Sequence, residues 1–408
     1  MAKKQVKKES EVTVTTFDFS SEEAKQEVKE ISKEDLVKER LKTVMAEINK
    51  KVGKGAVALA EEYDGSFLLR RPTGILSLDL ALKGGFPKGI IEIIGEPNIG
   101  KTALVTQVAK TIQNIYGNET CIGICAIEKF DKKFWKDLGL KVAFSDSEIE
   151  QLEKALERKL EKEELAYYKE QIGNIVVSPA MTAEDAFEAA LGMAQSGIFQ
   201  LVVVDSIGAM LTETQADKDI DEKTYGGLSM PIGNFANKLS LSDSNTTVII
   251  INQLRDNLKM KNAYDDPYKE AGGWALKHAK NVSLRLSREG VLKEKVGTSG
   301  QEVVIGRGVK WNIKKGKAGI SDGDIGNYSF YKGKFGYPLG IDIDQDIILT
   351  ALEKDVMEKS GTWFVYKGER IGQGIQNACS FLRARPEIKD EIIKKVYEQS
   401  GLAFIVKE

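Results

Sequence analysis

Residues 95–102, Gly-Glu-Pro-Asn-Ile-Gly-Lys-Thr, have the types and spacing of a phosphate-binding loop. Glycines at both ends let the backbone curl, so that its N–H groups and the start of the next helix face a phosphate. Lys101 supplies a positive charge for the β- and γ-phosphate oxygens, and Thr102 supplies a hydroxyl for Mg²⁺. We therefore predict a nucleotide site formed by Gly95, Glu96, Pro97, Asn98, Ile99, Gly100, Lys101 and Thr102.

The segments on either side of this loop agree with that role. Residues 89–94 (GIIEII) are short, apolar and β-branched, as expected of a buried strand, and residues 103–109 begin an apolar pattern at helical spacing. This order of strand, loop and helix distinguishes a nucleotide site from a Gly-rich turn that only caps a helix.

Two further strands end in polar residues that complete such a site. The apolar run 201–204 ends at Asp205, a carboxylate that can hold the water shell of Mg²⁺ opposite the lysine. The run 248–251 ends in Asn252 and Gln253, at the sheet edge where ligands bind in open α/β folds. Gln253 can hydrogen-bond a γ-phosphate and lose that bond on hydrolysis.

The segment after Gln253 favours nucleic-acid binding. Residues 254–273 (LRDNLKMKNAYDDPYKEAGG) are mostly polar, lack a regular period and interrupt a compact domain, where loops of this length are usually functional. Basic residues mixed with tyrosines suit a loop that follows a nucleic-acid strand, a plain surface loop being the alternative. The residues predicted for this contact are Arg255, Lys259, Lys261, Lys269, Gly272 and Gly273, with a weaker contribution from Gly226 and Gly227 in the acidic stretch 212–228.

The composition of the chain excludes several classes of protein. With 408 residues and 42% hydrophobic content, the chain can bury a large core, and 59 basic against 61 acidic residues give a net charge of -2 that predicts no partner by itself. Three cysteines and a single histidine argue against a disulfide framework or a zinc site. Neither a membrane-spanning run nor a signal core is present in the sequence, which predicts a cytoplasmic protein without a membrane partner.

Four regions follow from the pattern along the chain. Residues 1–34 are a charged tail, and 35–70 contain a helix whose narrow apolar stripe must dock on its own core or on a neighbouring subunit. Residues 71–329 alternate strands and helices, which predicts an α/β core with a parallel sheet, and 330–408 form a small α/β domain with a strand at 363–366. The predicted core strands are 89–94, 121–127, 175–177, 201–204, 248–251 and 282–286.

The charged run 147–171 has leucine at every fourth position between residues 152 and 160. It predicts a solvent-exposed helix, with a partner-binding arm as the alternative.

With these residues in place, the chain resembles the RecA family of recombinases from about residue 41 to its end. The shared motifs are TGILSLDLAL at 73–82, the phosphate loop, VDS at 204–206, INQLR at 251–255, GGWALK at 272–277 and YKGERIGQG at 366–374. Replicative helicases and clock ATPases share the loop but not the last motif.

The resemblance implies a RecA-like core with a parallel-rich central sheet, an N-terminal polymerisation helix and a small α/β C-terminal domain. It also implies ATP and Mg²⁺ as ligands, and helical filaments of many copies on single-stranded DNA. Such filaments pair the bound strand with homologous double-stranded DNA and exchange strands, in recombination, DNA repair and the SOS response to DNA damage.

The resemblance further assigns roles to individual residues. The residues implied for catalysis are Glu128, Lys101, Gln253, Lys315 and Lys317. Lys315 and Lys317 match the lysine pair that reaches the neighbouring subunit's γ-phosphate, a solvent-facing basic hairpin being the alternative. Asp131 and Phe134 fall where the family contacts adenine, while Thr102 and Asp205 would hold the metal.

Three departures from the family pattern affect these expectations. Glu128 lies one residue too close to Asp131, which requires a local bulge for it to act as the base or else makes hydrolysis slow. Met230 and Asn237 stand where the family often has arginine, and the 147–171 insertion is foreign to it. Two alternatives therefore stay open: a DNA-binding structural filament with weak hydrolysis, and a ring-forming motor or helicase.

Overall fold

The computed structural model describes residues 33–53, 57–59, 69–126, 130–169, 173–179, 182–217, 227–256, 268–269, 272–296 and 300–403. The chain divides into two units, residues 1–64 and 65–408. The first contains helix α1 (Lys33–Val52), and all other elements belong to the second. Within the described ranges, no helix has the length and apolar content needed to cross a membrane.

The second unit contains the strands β1 (Arg70–Arg71), β2 (Phe86–Pro87), β3 (Gly89–Gly95), β4 (Cys121–Ala126), β5 (Asn174–Ser178), β6 (Leu201–Asp205), β7 (Thr247–Gln253), β8 (Arg255–Asp256), β9 (Tyr268–Lys269), β10 (Val282–Val296), β11 (Gln301–Gly316), β12 (Ile325–Lys332), β13 (Leu339–Ile341), β14 (Glu358–Ser360), β15 (Trp363–Tyr366) and β16 (Glu369–Gln373). Its helices are α2 (Leu76–Ala81), α3 (Lys101–Tyr116), α4 (Lys132–Asp137), α5 (Asp146–Leu156), α6 (Lys162–Lys169), α7 (Ala183–Gln195), α8 (Glu213–Ala216), α9 (Ser229–Ser240), α10 (Gly273–Ala279), α11 (Ile343–Glu353), α12 (Ile375–Ala384) and α13 (Pro386–Gln399).

A nine-stranded sheet forms the centre of this unit, in the order β13-β12-β11-β10-β3-β7-β6-β4-β5. The strands from β10 to β5 in this order pair in parallel, while β11, β12 and β13 add to the β10 edge as antiparallel neighbours. The predicted α/β class with a parallel-rich central sheet is confirmed, and all six predicted core strands are present.

Side chains of the central strands alternate between two apolar cores, one on each face of the sheet. On β3, Ile91 and Ile93 pack into one apolar cluster, while Ile90 belongs to the cluster on the opposite face. The runs on β6 and β7 divide in the same way, because successive side chains of a strand point to opposite faces. Helices cover both faces, which explains why these strands read as continuous apolar runs rather than as alternating ones.

The charged run 147–171 does not form the single helix that its spacing predicts. It forms α5 and α6, which are separated by residues 157–161, and residues 170–171 lie outside the described part. Helix α5 ends because Glu157 takes a left-handed conformation, with φ of 53°. The leucine spacing continues through this break, so that periodicity alone does not detect it.

The C-terminal region has its own sheet and core. Strands β14, β15 and β16 form a three-stranded antiparallel sheet, and the predicted strand 363–366 is β15. A third apolar cluster joins α11, α12 and α13 to this sheet and includes Leu76 of α2. The predicted start of the domain at residue 330 falls inside β12.

Candidate functional site

The phosphate loop joins β3 to α3 in the geometry that its sequence predicts. Asn98 and Gly100 both have positive φ, 59° and 110°, which turns successive N–H groups toward one side. A side chain at Gly95 would come within 2.8 Å of the Leu286 carbonyl oxygen, so glycine is needed at the end of β3. The loop leads directly into the N-terminus of the 16-residue helix α3, whose dipole favours an anion.

Lys101 is held inside this loop. Its Nζ donates to the carbonyl oxygens of Gly95, at 2.9 Å, and of Glu96, at 2.8 Å, and the residue is 8% exposed. The positive charge of Lys101 therefore lies within the loop, beside the carbonyl oxygens of its first two residues.

A hydroxyl and a carboxylate meet beside the lysine. Thr102 Oγ1 donates to Asp205 Oδ2 at 3.1 Å, which brings the start of α3 to the end of β6. Both groups are oxygen donors of the kind that Mg²⁺ prefers, so these residues fit a metal at this point.

Gln253 ends the strand next to the phosphate loop. In the parallel pairing of β3 with β7, Gln253 is the partner of Gly95. Its Nε2 lies 3.5 Å from Ser206 Oγ, one residue after Asp205. The predicted γ-phosphate amide, metal carboxylate and lysine thus lie at the carboxyl ends of neighbouring strands β3, β7 and β6.

An arginine and an aromatic ring border the loop, and neither was predicted from the sequence. The Arg307 guanidinium lies 4.9 Å from the centre of the Phe330 ring, and its Nη2 is 3.8 Å from where a Gly100 Cβ would be. Arg307 Nε is buried without a hydrogen-bond partner among the described residues. Burial, and then the charge of Arg288, lower the pKa of Arg307. No motif marks these residues, because β11 and β12 are brought to the loop only by the order of the sheet.

The proposed adenine contacts follow the carboxyl end of β4 in the chain. Asp131 is the N-cap of α4 and accepts a hydrogen bond from the Phe134 backbone N at 2.9 Å. Phe134 is half-buried against the core. Glu128 lies outside the described residues, while Ala126, two positions earlier, pairs with Asp205 in the sheet.

The two predicted nucleic-acid segments end side by side. Gly227 precedes α9, and Gly272 and Gly273 begin α10; a side chain at Gly273 would approach Ser229 Oγ to 2.9 Å. The backbones of Arg255 and Lys269 pair between β8 and β9, which closes the longer segment at its base. Lys259, Lys261, Gly226 and the side chains of Arg255 and Lys269 lie outside what the structure describes.

The lysine pair contacts the other end of α10. Lys315 Nζ donates to the Lys277 carbonyl oxygen at 2.5 Å, and Lys317 Nζ donates to the His278 carbonyl oxygen at 2.9 Å. Burial, and then the neighbouring Lys317, lower the pKa of Lys315. Helix α10 thus lies between the predicted DNA segment and the predicted trans-acting lysines.

A strand, phosphate loop and helix, with an acidic residue and an amide ending adjacent parallel strands, define a phosphate-loop protein of the α/β class. Sequence comparison identifies the family: residues 39–165 and 151–320 match the RecA N-terminal domain, and residues 345–401 match the RecA C-terminal domain. The chain belongs to the RecA family.

Individual relatives agree with this assignment. Protein RecA of Geobacter sulfurreducens is 32% identical over 375 residues, covering 90% of this chain and 97% of the relative. Protein RecA of Staphylococcus aureus strain JH9 is 30% identical over 371 residues, covering 89% and 92%. Family membership supports a RecA-like recombinase that uses nucleotide, Mg²⁺ and DNA.

Proposed function

We propose that this protein is an ATP-dependent homologous recombinase that acts in the cytoplasm. It forms helical filaments on single-stranded DNA, pairs that strand with homologous double-stranded DNA and exchanges the strands. The observation that carries this proposal is the position of Gln253, which is the strand partner of Gly95 in the phosphate loop and directly precedes segment 254–273. An amide in that position links the state of the nucleotide to the segment proposed to contact DNA.

Each residue of the site has a separate role in the proposed ATP hydrolysis. Lys101 and the loop N–H groups hold the phosphates, and Thr102 with Asp205 would hold Mg²⁺, which offsets phosphate charge when bound. Glu128 accepts a proton from the attacking water as the bond between the β- and γ-phosphates breaks. Asp131 and Phe134 contact the adenine ring.

Assembly completes the site. Lys315 and Lys317 reach the γ-phosphate of the adjacent subunit, so that hydrolysis depends on filament formation. On binding, they leave the carbonyl oxygens of α10 that they contact in the single chain. Helix α1, on which Leu41 and Val44 are each 44% exposed, is the arm that docks on a neighbouring subunit. The DNA contacts come from Arg255, Lys259, Lys261 and Lys269 and from the glycines that flank α9 and α10.

ATP hydrolysis with and without single-stranded DNA tests the proposal. We expect strong stimulation by DNA at low salt and its loss as salt rises, because phosphate contacts weaken steeply with counterion concentration. Lys101→Ala should abolish hydrolysis in both conditions, while Lys110→Ala, later on the same helix, should retain it. ATP binding without DNA stimulation in the wild-type protein would contradict the proposal.

A second candidate is a structural DNA filament with weak hydrolysis, favoured by the spacing of Glu128 to Asp131. Single-turnover hydrolysis with saturating single-stranded DNA distinguishes the two. A large loss of rate in Glu128→Gln supports catalysis by this residue, whereas an unchanged rate removes it as the base but leaves the filament. Unwinding of forked DNA, rather than homology-dependent pairing, would instead indicate a ring-forming helicase.

A further inference from the structure

A buried carboxylate lies beneath the phosphate loop and has no role in the proposed chemistry. Glu92 is on β3, three residues before Gly95, and is 0% exposed. Asn252 Nδ2 donates to its Oε1 at 2.8 Å, and Ser283 Oγ donates to its Oε2 at 3.2 Å. Lys280 Nζ forms an ion pair with the same Oε2. All of these residues are buried, and they come from β3, β7, the end of α10 and β10.

Two partners of Glu92, Asn252 and Lys280, lie on the elements that flank segment 254–273. Asn252 precedes Gln253 and accepts a hydrogen bond from its backbone N through Oδ1, at 2.9 Å. Lys280 is the C-cap of α10, the helix that begins where the segment ends, and its N–H donates to the Leu276 carbonyl oxygen at 3.0 Å. One carboxylate therefore connects the strand that carries Gln253 to the helix after the segment.

Such a link resists independent movement of its two sides. Two buried charged groups have no contact with water and are stabilised by their attraction to each other. Separating them leaves each charge buried without a partner, which is strongly unfavourable. Asn252 is itself 0% exposed, so its amide can take few orientations that satisfy both Glu92 and the Gln253 N–H. These contacts give a shift of β7 at Gln253 a route to α10 through Glu92 and Lys280.

We propose that Glu92 and Lys280 are positioning residues that couple nucleotide binding at Gln253 to the position of α10, and through it to the DNA segment and the lysine pair. The DNA part of this inference rests on the proposed function. The coupling between the nucleotide and α10 rests only on the proposed contact of Gln253 with the nucleotide, and it can be measured without DNA.

The informative variant replaces both charges together. Glu92→Gln with Lys280→Met removes the ion pair without leaving a single buried charge, and keeps the sizes of both side chains close to the original. Ser283→Ala is the matched control, because it removes the hydrogen bond that Ser283 donates to Glu92 and the one that it accepts from Lys280, but keeps the ion pair between those two residues. Far-ultraviolet circular dichroism and thermal melting establish that both proteins are folded.

Hydrogen exchange with a non-hydrolysable ATP analogue and Mg²⁺ provides the first measurement. In the wild-type protein and in Ser283→Ala, we expect exchange to slow at least about threefold both in the phosphate loop and in the amides of α10. In the double variant, the phosphate loop should still slow while α10 no longer responds. A wild-type α10 that does not respond to the analogue, or a double variant that responds like wild type, would overturn the inference.

Stimulation of ATP hydrolysis by single-stranded DNA provides the second measurement. The double variant should keep its DNA-independent rate within about twofold and lose about tenfold of its stimulation, whereas Ser283→Ala should keep both. An equal loss in Ser283→Ala would show that the environment of the carboxylate matters rather than the link, and would overturn the DNA part. If the wild-type protein is not stimulated by DNA, the proposed function fails while the exchange measurement still decides the coupling.

Discussion

At the scale of single residues, the phosphate loop depends on backbone conformations that few residues tolerate. Gly100 has φ of 110°, where a Cβ is strained, and Asn98 has φ of 59°, a region that asparagine enters more readily than most residues. These two positions orient the loop N–H groups, while Lys101 adds the charge. Residue types that enter these conformations at little cost reduce the strain of a loop that binds phosphate through its N–H groups.

Arg307 provides a first prediction. Its half-buried guanidinium beside Gly100 lacks a carboxylate partner among the described residues, so a bound nucleotide is a favourable counter-charge. Arg307→Ala should weaken ATP binding about tenfold, since a hydrogen bond to a charged group contributes about 1.5–3 kcal/mol. Titration of a fluorescent ATP analogue measures this affinity.

The control is Arg370→Ala, which removes an arginine that also lies over an aromatic ring, 5.2 Å from the centre of the Trp363 ring. This variant should bind ATP with normal affinity. Equal affinities in all three proteins would contradict the prediction.

Asp79 provides a second prediction, on pH. Burial raises the pKa of Asp79 from 3.8 to about 7, although the N–H groups of Thr73 and Gly74 oppose this. The folded protein then holds a proton that the unfolded chain releases, so this contribution to stability is full below about pH 4 and is lost as the pH rises to about 7. Two further groups face Asp79: Asp346 of α11, whose pKa burial raises to about 6, and the Tyr397 hydroxyl of α13.

The melting temperature should therefore fall by a few degrees between pH 5 and pH 8, and Asp79→Asn should reduce that fall. Differential scanning calorimetry at the two pH values measures it, with the exposed Asp390→Asn as control. A fall in Asp79→Asn that equals that of wild type would show that other groups determine the pH dependence.

At the scale of elements, the seven-residue helix α10 joins the proposed DNA segment to the lysine pair. Gly272 and Gly273 enter it after the segment proposed to bind DNA, and its last carbonyl oxygens accept hydrogen bonds from Lys315 and Lys317. Gly233 lets α9 approach so closely that a side chain there would lie 3.2 Å from Ala275. A displacement of α10 therefore alters the environment of both segments that end at α9 and α10.

The α5 and α6 hairpin provides a third prediction. Its two ends meet, because Phe144 N donates to the Tyr168 carbonyl oxygen at 3.0 Å and the two rings are 5.0 Å apart. Replacing residues 146–166 by a short Gly-Ser linker should therefore leave the core folded. ATP affinity should stay within about fivefold, because the hairpin contacts α4, which carries the proposed adenine contacts, through an ion pair worth at most about 1 kcal/mol. The melting temperature should fall by a few degrees, because Ile149 is buried and Glu148 pairs with Lys132.

Circular dichroism and nucleotide titration measure the effect of this deletion. A variant with Arg158→Ala and Glu164→Ala removes the ion pair at the turn between the helices and two exposed hydrogen bonds to the backbone beside it. It should show almost no change, since exposed ion pairs contribute little. Loss of folding in the deletion would show that the hairpin is part of the core.

At the scale of the whole molecule, the proposed site is incomplete in one chain, and this yields a fourth prediction. Lys101→Ala lacks a working loop but keeps its lysine pair, and a Lys315→Ala, Lys317→Ala double variant lacks the pair but keeps its loop. Each should be nearly inactive alone. Mixed in equal amounts with DNA, they should recover about a quarter of wild-type hydrolysis, because random head-to-tail assembly restores about one interface in four.

Steady-state hydrolysis of the mixture over a range of ratios measures this recovery. The control is each variant assayed alone at the same total protein concentration, and each should stay nearly inactive. If mixing restores nothing while both variants still bind DNA, the lysines act within their own subunit or not at all.

The sequence by itself determined the parts of this protein that depend on neighbours along the chain. The loop at 95–102, its strand and helix, and the polar ends at Asp205 and Gln253 could be predicted because their patterns are local. The prediction from sequence was wrong where local spacing carries no signal. The run 147–171 keeps its leucine period through the turn at Glu157, although it forms two helices.

Only the tertiary structure decided which distant residues meet. Glu92 contacts Asn252, 160 positions away, and Lys280, 188 positions away, because β3 lies between β7 and β10 in the sheet. Arg307 approaches Gly100 for a related reason, since β11 follows β10 at the antiparallel edge. Sheet order and register are set by the packing of whole strands, whose energies are spread over many weak contacts, and no short stretch of sequence encodes them.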